Sequence, residues 1–235
     1  MAALVVLVHS PLVGPTTWQW VAEELGAAGV RVEVPTLLAA AATGRVDRCI
    51  DAAVEQISAG GDEVVLVGHS GAGSLLPTIA SRVTRPVGRL VFVDAGVPPD
   101  GGEAPLVPDA LADHLRSIAR HGVLPPWSEW FGRDTLDALV PDPGRRRAIV
   151  AEIPRLPVRY LDAVIDQPVG WSAGTTPAYV LLSEVYRPDA DGARSRGWPV
   201  VELLGNHLDM VNRPRELAEA ITSLSHGGDR TRLDR

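Results

Sequence analysis

Apolar residues occur along the chain in short continuous runs that are separated by longer amphipathic stretches. The runs are rich in valine and leucine, which is typical of strands buried on both faces of a parallel sheet. They are Ala3–Val8, Arg31–Val34, Glu63–Val67, Arg89–Val93, Ala178–Leu182 and Pro199–Leu203. The stretches between them predict helices at Thr16–Ala28, Gly44–Ala59, Ser70–Arg82 and Pro214–Leu224. This alternation predicts an α/β fold, with a doubly wound, mostly parallel sheet of about six strands and helices on both faces.

One interval in the middle of the chain breaks the alternation. Val97 to Thr176 holds no convincing strand, and its periodicity predicts helical stretches at Asp109–His121, Pro126–Phe131, Thr135–Leu139, Gly144–Ile153 and Val158–Ile165. We therefore expect a helical cap at about 97–176, inserted into a single domain of residues 1–225, with a flexible tail at 226–235. The cap would cover the carboxyl edge of the sheet. Its aromatic residues are either pocket walls or the cap's own core: Trp127, Trp130, Phe131 and Trp171.

The composition indicates one compact domain with a sizeable core. Hydrophobic residues make up 46% of the 235 residues, and the mean hydropathy is +0.08. The net charge of -7 gives no electrostatic reason to expect a nucleic acid as partner. No apolar run reaches membrane-spanning length, no basic leader precedes the first strand, and Cys49 is the single cysteine. We therefore expect a cytoplasmic protein without a membrane partner.

Two absences in the sequence bear on cofactors and metals. All 22 basic residues are arginines, so the chain has no lysine for a Schiff base, for pyridoxal phosphate or for a Walker loop. The six histidines are scattered, and none has the spacing of a zinc site. We therefore expect no cofactor, no metal and a small-molecule substrate as partner. An exposed apolar cap is compatible with a homodimer and equally with a monomer.

The segment Glu63–Gly73 carries the most specific pattern in the chain, because an apolar strand runs into a serine flanked by small residues and then into a helix. This is the pattern of a nucleophile elbow, a strained strand-to-helix turn that requires small neighbours, here Gly68 and Ala72. Ser70 is therefore the candidate nucleophile. A dinucleotide-binding turn with Asp94 at the end of the next strand is the alternative, but that turn needs G-x-G-x-x-G, and the glycines here read G-x-x-G-x-G.

A serine nucleophile needs a base, and the candidate is His207. It lies in Leu-Leu-Gly-Asn-His-Leu-Asp-Met-Val, after the last predicted strand and before the final helix. The alternative is a capping or surface histidine in a Gly-Asn turn. His69 lies beside the serine on a tight turn, and we expect a structural role for it.

Four segments together resemble the α/β-hydrolase superfamily, in its small esterase and hydroxynitrile-lyase-like branch, over almost the whole chain. They read LVHSPLVGPTTW at 7–18, GHSGAG at 68–73, LVFVDAGVP at 90–98 and GNHLDMV at 205–211. The resemblance implies a catalytic triad in the order serine, acid and histidine, with Ser70 as nucleophile and His207 as base. It implies the fold more firmly than the substrate.

The loop after the first strand departs from the family pattern. In the family this loop donates one N–H to the oxyanion hole, and the residue after the nucleophile, here Gly71, donates the other. The loop reads His-Ser-Pro-Leu where the family has His-Gly, and Pro11 has no N–H. Leu12 would be the donor in a loop one residue shorter, and Ser10 could add a hydroxyl. We also expect Pro11 and His9 to line the substrate pocket.

The acid of the triad is the second open question. The region after the fifth strand is shorter than in the family, and Glu184 is the first choice because it precedes Pro188 as the family acid precedes its own proline. A glutamate can orient an imidazole as an aspartate does. The rival is Asp94 at the end of the fourth strand, a position from which some hydrolases of this superfamily supply the acid. Asp209 is expected to be solvated or to cap a helix.

These residues predict a serine hydrolase that forms an acyl-enzyme on a small hydrophobic ester, thioester or lactone. The alternative is a lyase or cyclase that uses Ser70 and His207 as a general base without acylation, which the unusual loop keeps open. The hydroxynitrile lyase reaction of the plant relatives relies on a lysine, and this chain has none. A third hypothesis is a ligand-binding protein without catalysis, whose sign would be the loss of a triad residue.

Overall fold

The computed structural model describes residues 3–132 and 134–225, so the predicted tail at 226–235 lies outside the described residues. The strands are β1 (Leu4–Val8), β2 (Arg31–Glu33), β3 (Val64–His69), β4 (Val87–Val93), β5 (Gly102–Pro105), β6 (Val164–Gln167), β7 (Thr176–Leu181) and β8 (Val200–Glu202). The α-helices are α1 (Thr16–Ala27), α2 (Leu38–Ala41), α3 (Val46–Gln56), α4 (Leu76–Arg82), α5 (Asp109–Ile118), α6 (Thr135–Leu139), α7 (Pro143–Val150), α8 (Trp171–Gly174), α9 (Arg187–Ser195), α10 (Asp209–Asn212) and α11 (Pro214–Ser225). Short 3₁₀ turns are formed by Ser70–Leu75, Trp127–Glu129, Val158–Asp162 and Glu184–Tyr186.

The six predicted strands form one sheet in the order β2-β1-β3-β4-β7-β8, and all of its pairings are parallel. Alternate side chains of β1 enter two different core layers, with Val6 on one face and Val5 on the other. The layer of Val6 contains residues of α3, α4 and α9, and the layer of Val5 contains residues of α1 and α11. Both faces of the sheet are therefore covered by helices, and the predicted fold class is confirmed.

The strand order places the ends of β1, β3 and β4 side by side. The chain fills the sheet in one direction from β1 to β2 and in the other from β3 onwards, so the order reverses between β1 and β3. Doubly wound sheets bind their ligands outside the carboxyl ends of the strands at such a point. The segments that leave the sheet here are the loop after Val8, the turn at Ser70 and the bend at Asp94.

Two of the differences between the predicted and the observed helices have a clear physical reason. The predicted helix Ser70–Arg82 is divided into the 3₁₀ turn Ser70–Leu75 and α4. The division follows from the elbow, because Ser70 has a φ of 56° and cannot begin a regular α-helix. The sequence pattern does not predict α9, because this polar helix buries only two small side chains, Ala190 and Ala193.

The cap contains a small antiparallel sheet in addition to helices. β5 pairs with β6, with Glu103 opposite Asp166 and Ala104 opposite Ile165. The expectation that 97–176 holds no strand is therefore wrong, and the stretch predicted as helical up to Ile165 ends in β6. Each strand has four residues, and β5 begins with glycine and ends with proline, which are both unfavourable in strands. A strand pattern this short and this weak cannot be distinguished in the sequence from the pattern of a loop.

The carboxylate of Glu152, just after α7, ties the cap to the main domain. It accepts a hydrogen bond from the backbone N–H of Thr16 at 2.9 Å, at the start of α1, which has no side-chain cap of its own. The first N–H groups of a helix lack partners within the helix, so this distant carboxylate replaces a local cap. Gly14 makes room for it, since a Cβ atom at this position would overlap the Glu152 side chain. The contact thereby fixes the loop after β1 against the cap.

We predict that Glu152→Ala lowers the free energy of unfolding by about 1 kcal/mol, the usual cost of losing a helix cap. Glu55→Ala is the matched control, because Glu55 is an exposed glutamate on α3. Chemical denaturation of the two variants and the wild type measures the difference. Equal stability of all three proteins would show that the carboxylate does not cap α1.

Candidate active site

Ser70 lies at the tip of the turn between β3 and the 3₁₀ turn that leads to α4. Its φ of 56° places it in the left-handed region, a strained conformation for a residue with a side chain. The turn is tight, because a Cβ atom on Gly68 would lie 2.9 Å from the Leu76 side chain, and one on Gly73 would lie 2.6 Å from the carbonyl oxygen of Gly96. The small residues of the motif are thus required by close packing, as the elbow pattern predicts.

His207 lies in the loop between β8 and α10, and hydrogen bonds hold this loop on both sides. Asn206 Oδ1 accepts from the Leu208 N–H at 2.8 Å, and Asp209 Oδ2 accepts from the Asn206 N–H at 3.1 Å. Asp209 is 6% exposed and α10 has no side-chain cap, so Asp209 is neither solvated nor a helix cap. His69 Nε2 donates to the carbonyl oxygen of His207 at 2.8 Å, and burial lowers the pKa of His69, which keeps its ring neutral. The structural role predicted for His69 is therefore to support the backbone of His207.

The carboxylate that forms a hydrogen bond with His207 is that of Asp94. Asp94 Oδ2 accepts from His207 Nδ1 at 2.7 Å, and the side chain of Asp94 is completely buried just after β4. The other donors come from the end of β7: the N–H groups of Leu182 and Ser183 donate to Oδ1 at 2.9 and 2.8 Å, and the Ser183 hydroxyl donates to Oδ2 at 2.6 Å. Burial alone would raise the pKa of Asp94, but the hydrogen bonds from His207 and Ser183 lower it below its ordinary value.

Glu184, the first choice from the sequence, does not reach the histidine, so that preference is corrected. Its exposed carboxylate accepts from Arg187 Nη2 at 2.8 Å and from Arg187 Nε at 3.1 Å. The chain leaves β7 with Ser183 next to Asp94 and then turns outward in the 3₁₀ turn that begins at Glu184. Pro188, which served as the anchor, lies in the first turn of α9, where proline marks a helix start and carries no information about the acid.

The loop after β1 is held by hydrogen bonds of its own. His9 is buried, with Nε2 accepting from the Leu37 N–H at 2.9 Å and Nδ1 donating to the Ser10 carbonyl oxygen at 2.8 Å. The Leu12 N–H donates to Ser10 Oγ at 3.3 Å. The loop packs against the elbow, since a Cβ atom on Gly71 would lie 3.1 Å from Ser10 Oγ and 3.8 Å from the ring of Pro11. Gly71 is the second residue of a 3₁₀ turn, so its N–H has no partner within that turn.

A cavity of about 670 Å³ opens beside Ser70 and His207. Its other lining residues are Leu12, Leu111, Trp127, Trp130, Phe131, Leu139, Ser183, Glu184, Val185, Tyr186, Gly205 and Asn206. The cap thus contributes Trp127, Trp130 and Phe131 to the wall, and Phe131 is 58% exposed at the cavity mouth. Besides His207, Glu184 is the one acidic or basic residue in the described lining, so the cavity suits an uncharged, apolar ligand.

Three residues expected in the pocket wall have other positions. His9 and Pro11 are buried within the loop after β1 and do not line the cavity. Trp171 is 7% exposed and packs between Phe92 and Trp198, with ring centroids 5.7 and 5.8 Å away. Its Nε1 donates to the carbonyl oxygen of Pro99 at 2.9 Å. For Trp171 the alternative interpretation, an aromatic that serves packing, is the correct one.

Tyr186 is part of the site, although no motif in the sequence points to it. Its ring stacks on the His207 imidazole, with centroids 5.2 Å apart and planes 13° from parallel. Burial raises the pKa of the Tyr186 phenol above its ordinary value. The one signal in the sequence is its position, two residues after Glu184 at the same end of the sheet.

Metal-binding clusters and membrane-spanning helices are absent from the part of the chain that the structure describes. Within 3–132 and 134–225, no group of three or more His, Cys, Asp and Glu side chains could hold a metal ion. None of the helices in these residues has the length and apolar character that crossing a membrane would need.

A known protein family accounts for this arrangement. The model of the alpha/beta hydrolase family matches residues 5–220. The chain belongs to this family. The resemblance read from the sequence and the enzyme class that it implied are confirmed.

Individual relatives extend the comparison with the alpha/beta hydrolases. The carbendazim hydrolyzing esterase of Nocardioides sp. (strain SG-4G) is 29% identical over 184 residues, which cover 69% of this chain and 72% of the esterase. An extracellular alpha/beta-hydrolase from a Paenibacillus species has a TM-score of 0.71 at 20% identity and covers 95% of this chain and 98% of its own. Tomato methylketone synthase I gives 0.75 at 14% identity, with coverage of 96% and 98%. The two structural likenesses show the fold, and the family with its esterase relative supports a hydrolase.

We predict that Ser183→Ala lowers the free energy of unfolding at pH 7 by about 1.5 kcal/mol, because a buried carboxylate loses one hydrogen bond. The pKa of Asp94 is lowered in the folded protein, so its charged form stabilises the fold above its ordinary pKa of 3.8, and this contribution is lost as the pH falls through the lowered value. The difference between variant and wild type should therefore shrink as the medium becomes acidic. Chemical denaturation from pH 7 downwards measures it.

Ser195→Ala is the control for this prediction. The Ser195 hydroxyl is exposed on α9 and donates to the carbonyl oxygen of Asp191 at 2.9 Å, away from any buried charge. We expect almost no change in its stability and no dependence on pH. A Ser183→Ala difference that stays constant with pH would mean that the hydroxyl does not act through the charge of Asp94.

Proposed function

We propose that this alpha/beta hydrolase cleaves a small hydrophobic ester, thioester or lactone through an acyl-enzyme on Ser70. The observation that supports this most is the opening of one apolar cavity onto both an elbow serine and a histidine that is bonded to a buried carboxylate. Nucleophile, base and orienting acid are the three groups that acyl transfer needs. In this proposal they are Ser70, His207 and Asp94.

The Asp94 bond to Nδ1 leaves Nε2 of His207 as the nitrogen for proton transfer. Ser70 Oγ attacks the carbonyl carbon of the ester and gives its proton to Nε2. The tetrahedral intermediate then expels the alcohol, which takes that proton, and leaves the acyl group on Ser70. A water molecule attacks the acyl carbon and gives a proton to Nε2, and the proton returns to Ser70 as the acid leaves. Ester and water are thus converted to acid and alcohol, and the enzyme is unchanged.

The negative charge on the carbonyl oxygen needs hydrogen-bond donors. The N–H of Gly71 is the first, because it lies directly after the nucleophile at the start of a 3₁₀ turn. The Ser10 hydroxyl lies against Gly71 and accepts from the Leu12 N–H, so the Leu12 N–H would have to turn toward the substrate to act as the second donor.

The lining of the cavity favours a substrate with an uncharged acyl or alkyl group. Aliphatic and aromatic side chains make up most of the wall, and the carboxylate of Glu184 is paired with Arg187. The relative from Nocardioides is an esterase that hydrolyses carbendazim, so this compound belongs in the substrate panel. The single cysteine, Cys49, is buried and free, which agrees with a reducing cytoplasm as location.

A lyase or cyclase is the second candidate, and Pro11 is the observation that favours it. Reactions that use Ser70 and His207 only to move a proton do not pass through an acyl oxyanion, so they tolerate a proline in the loop. Formation of a covalent acyl-enzyme distinguishes the two candidates. A binding protein without catalysis is disfavoured, because a serine, a histidine and a buried acid are all in place.

We predict that a fluorophosphonate adds to Ser70 and abolishes turnover of p-nitrophenyl esters. Intact-mass measurement after incubation should show one adduct on the wild type and none on Ser70→Ala. The variant Ser74→Ala is the control, since Ser74 lies in the same 3₁₀ turn without touching the cavity, and it should label normally. A folded wild type that neither labels nor turns over esters would contradict the hydrolase proposal and direct attention to proton-transfer reactions.

We predict that Asp94→Asn lowers kcat by roughly 10³- to 10⁴-fold, since an amide no longer holds the tautomer or stabilises the imidazolium of His207. Glu184→Gln should keep kcat within about threefold of the wild type, because an exposed ion pair contributes little. Steady-state kinetics on one p-nitrophenyl ester compares the two variants. A large loss in Glu184→Gln with little loss in Asp94→Asn would assign the acid to Glu184 after all.

A further inference from the structure

The proposed oxyanion hole has fewer backbone donors than a family member with glycine after the first strand. Pro11 packs next to Gly71 and has no N–H to offer. The next two N–H groups turn back into the loop, because Leu12 donates to Ser10 Oγ at 3.3 Å and Val13 donates to the Ser10 carbonyl oxygen at 3.1 Å. The hole is therefore left with the N–H of Gly71 and needs a donor from elsewhere.

Side chains in the cavity lining can supply that donor. Besides Ser70, the hydroxyl groups in the lining are those of Ser183 and Tyr186. The Ser183 hydroxyl is committed to Asp94 Oδ2 at 2.6 Å. Tyr186 remains, and it lines the cavity together with Ser70. Ser10 is a weaker choice, because its side chain is 2% exposed and does not line the cavity.

We propose that Tyr186 is a catalytic residue whose phenolic O–H donates a hydrogen bond to the oxyanion that forms when Ser70 attacks the substrate. This inference rests on the proposed acyl-enzyme reaction. The hydroxyl takes the place of the N–H that Pro11 lacks, and no proton is transferred, so the phenol leaves the reaction as it entered.

The position of the Tyr186 ring suits this role. Stacking on His207 at 5.2 Å fixes the ring next to the base, which lies beside the same serine. Stacking of the Tyr186 ring on the imidazole positions the phenolic hydroxyl before substrate arrives. A hydrogen-bond donor that needs no reorganisation lowers the activation barrier of the reaction most. Burial keeps the pKa of the phenol above its ordinary value, so the O–H stays protonated at neutral pH.

The test removes the hydroxyl and keeps the ring. Tyr186→Phe should lower kcat on a p-nitrophenyl ester roughly 100-fold, the usual effect of losing one oxyanion donor, and leave KM within about threefold. Tyr160→Phe is the matched control, because it makes the same change in a tyrosine that is buried in the cap core and should keep wild-type kinetics. Circular dichroism and melting temperature establish that both variants are folded.

A thionoester substrate separates an oxyanion role from a structural one. Sulfur is a weak hydrogen-bond acceptor, so donors in the hole contribute less to this substrate than to the oxygen ester. The loss in Tyr186→Phe should therefore be several-fold smaller on the thionoester than on the ester. Equal losses on the two substrates, or no loss on either, would overturn the role as donor.

A measurement on the wild type does not depend on how a variant folds. A trifluoromethyl ketone adds to an active serine and leaves an oxyanion in the hole, so a crystal structure of this adduct displays the donors. We expect the Tyr186 hydroxyl at about 3 Å from that oxygen. A hydroxyl beyond hydrogen-bonding distance would overturn the inference and leave the acyl-enzyme proposal standing. A wild type that forms no adduct and turns over no ester would overturn both.

Discussion

The hydrogen bond between Asp94 Oδ2 and His207 Nδ1 joins segments 113 residues apart, and the rest of the site is arranged around it. A carboxylate buried without partners would take up a proton, so the fold surrounds Asp94 with donors from the end of β7 as well as from His207. These donors lie where they do because β4 and β7 are adjacent parallel strands that end at the same edge of the sheet. The sheet thus determines which carboxylate stays charged, and that carboxylate determines which way the imidazole faces.

Local patterns allowed the sequence to predict the elbow and the histidine loop. Ser70 follows a buried strand and has small neighbours, and close contacts at Gly68 and Gly73 show why larger residues are not accommodated. The partner of His207 was not predictable in the same way. Glu184 and Asp94 are both acidic residues after strands, and the choice depends on where the chain leaves β7, since Ser183 faces Asp94 and the next residue is exposed. The point at which the chain leaves β7 is determined by three-dimensional packing and produces no periodic pattern in the sequence.

The cap was predictable as an interval without the alternation of the main domain, but its internal structure was not. β5 and β6 are stabilised by each other and by the core beneath them, with Ile165 buried and Val164 half exposed, so neither strand has a strong signal of its own. The roles of the aromatic residues of the cap were not predictable from the sequence either. Trp130 and Trp171 both belong to the cap and are similarly buried, yet one lines the cavity and the other packs against Phe92.

The cavity wall and the loop of His207 are connected through one hydrogen-bond acceptor, the carbonyl oxygen of Leu139. This cap residue lines the cavity, and its carbonyl accepts from Asn212 Nδ2 at 2.8 Å and from Asn206 Nδ2 at 3.3 Å. Asn206 directly precedes His207, so a displacement of the cap wall would strain the backbone of the base. A ligand that fits badly against the cap would then disturb the imidazole as well as its own binding. Selectivity in this site should therefore be expressed in kcat as much as in KM, because the wall and the base share one hydrogen-bonded support.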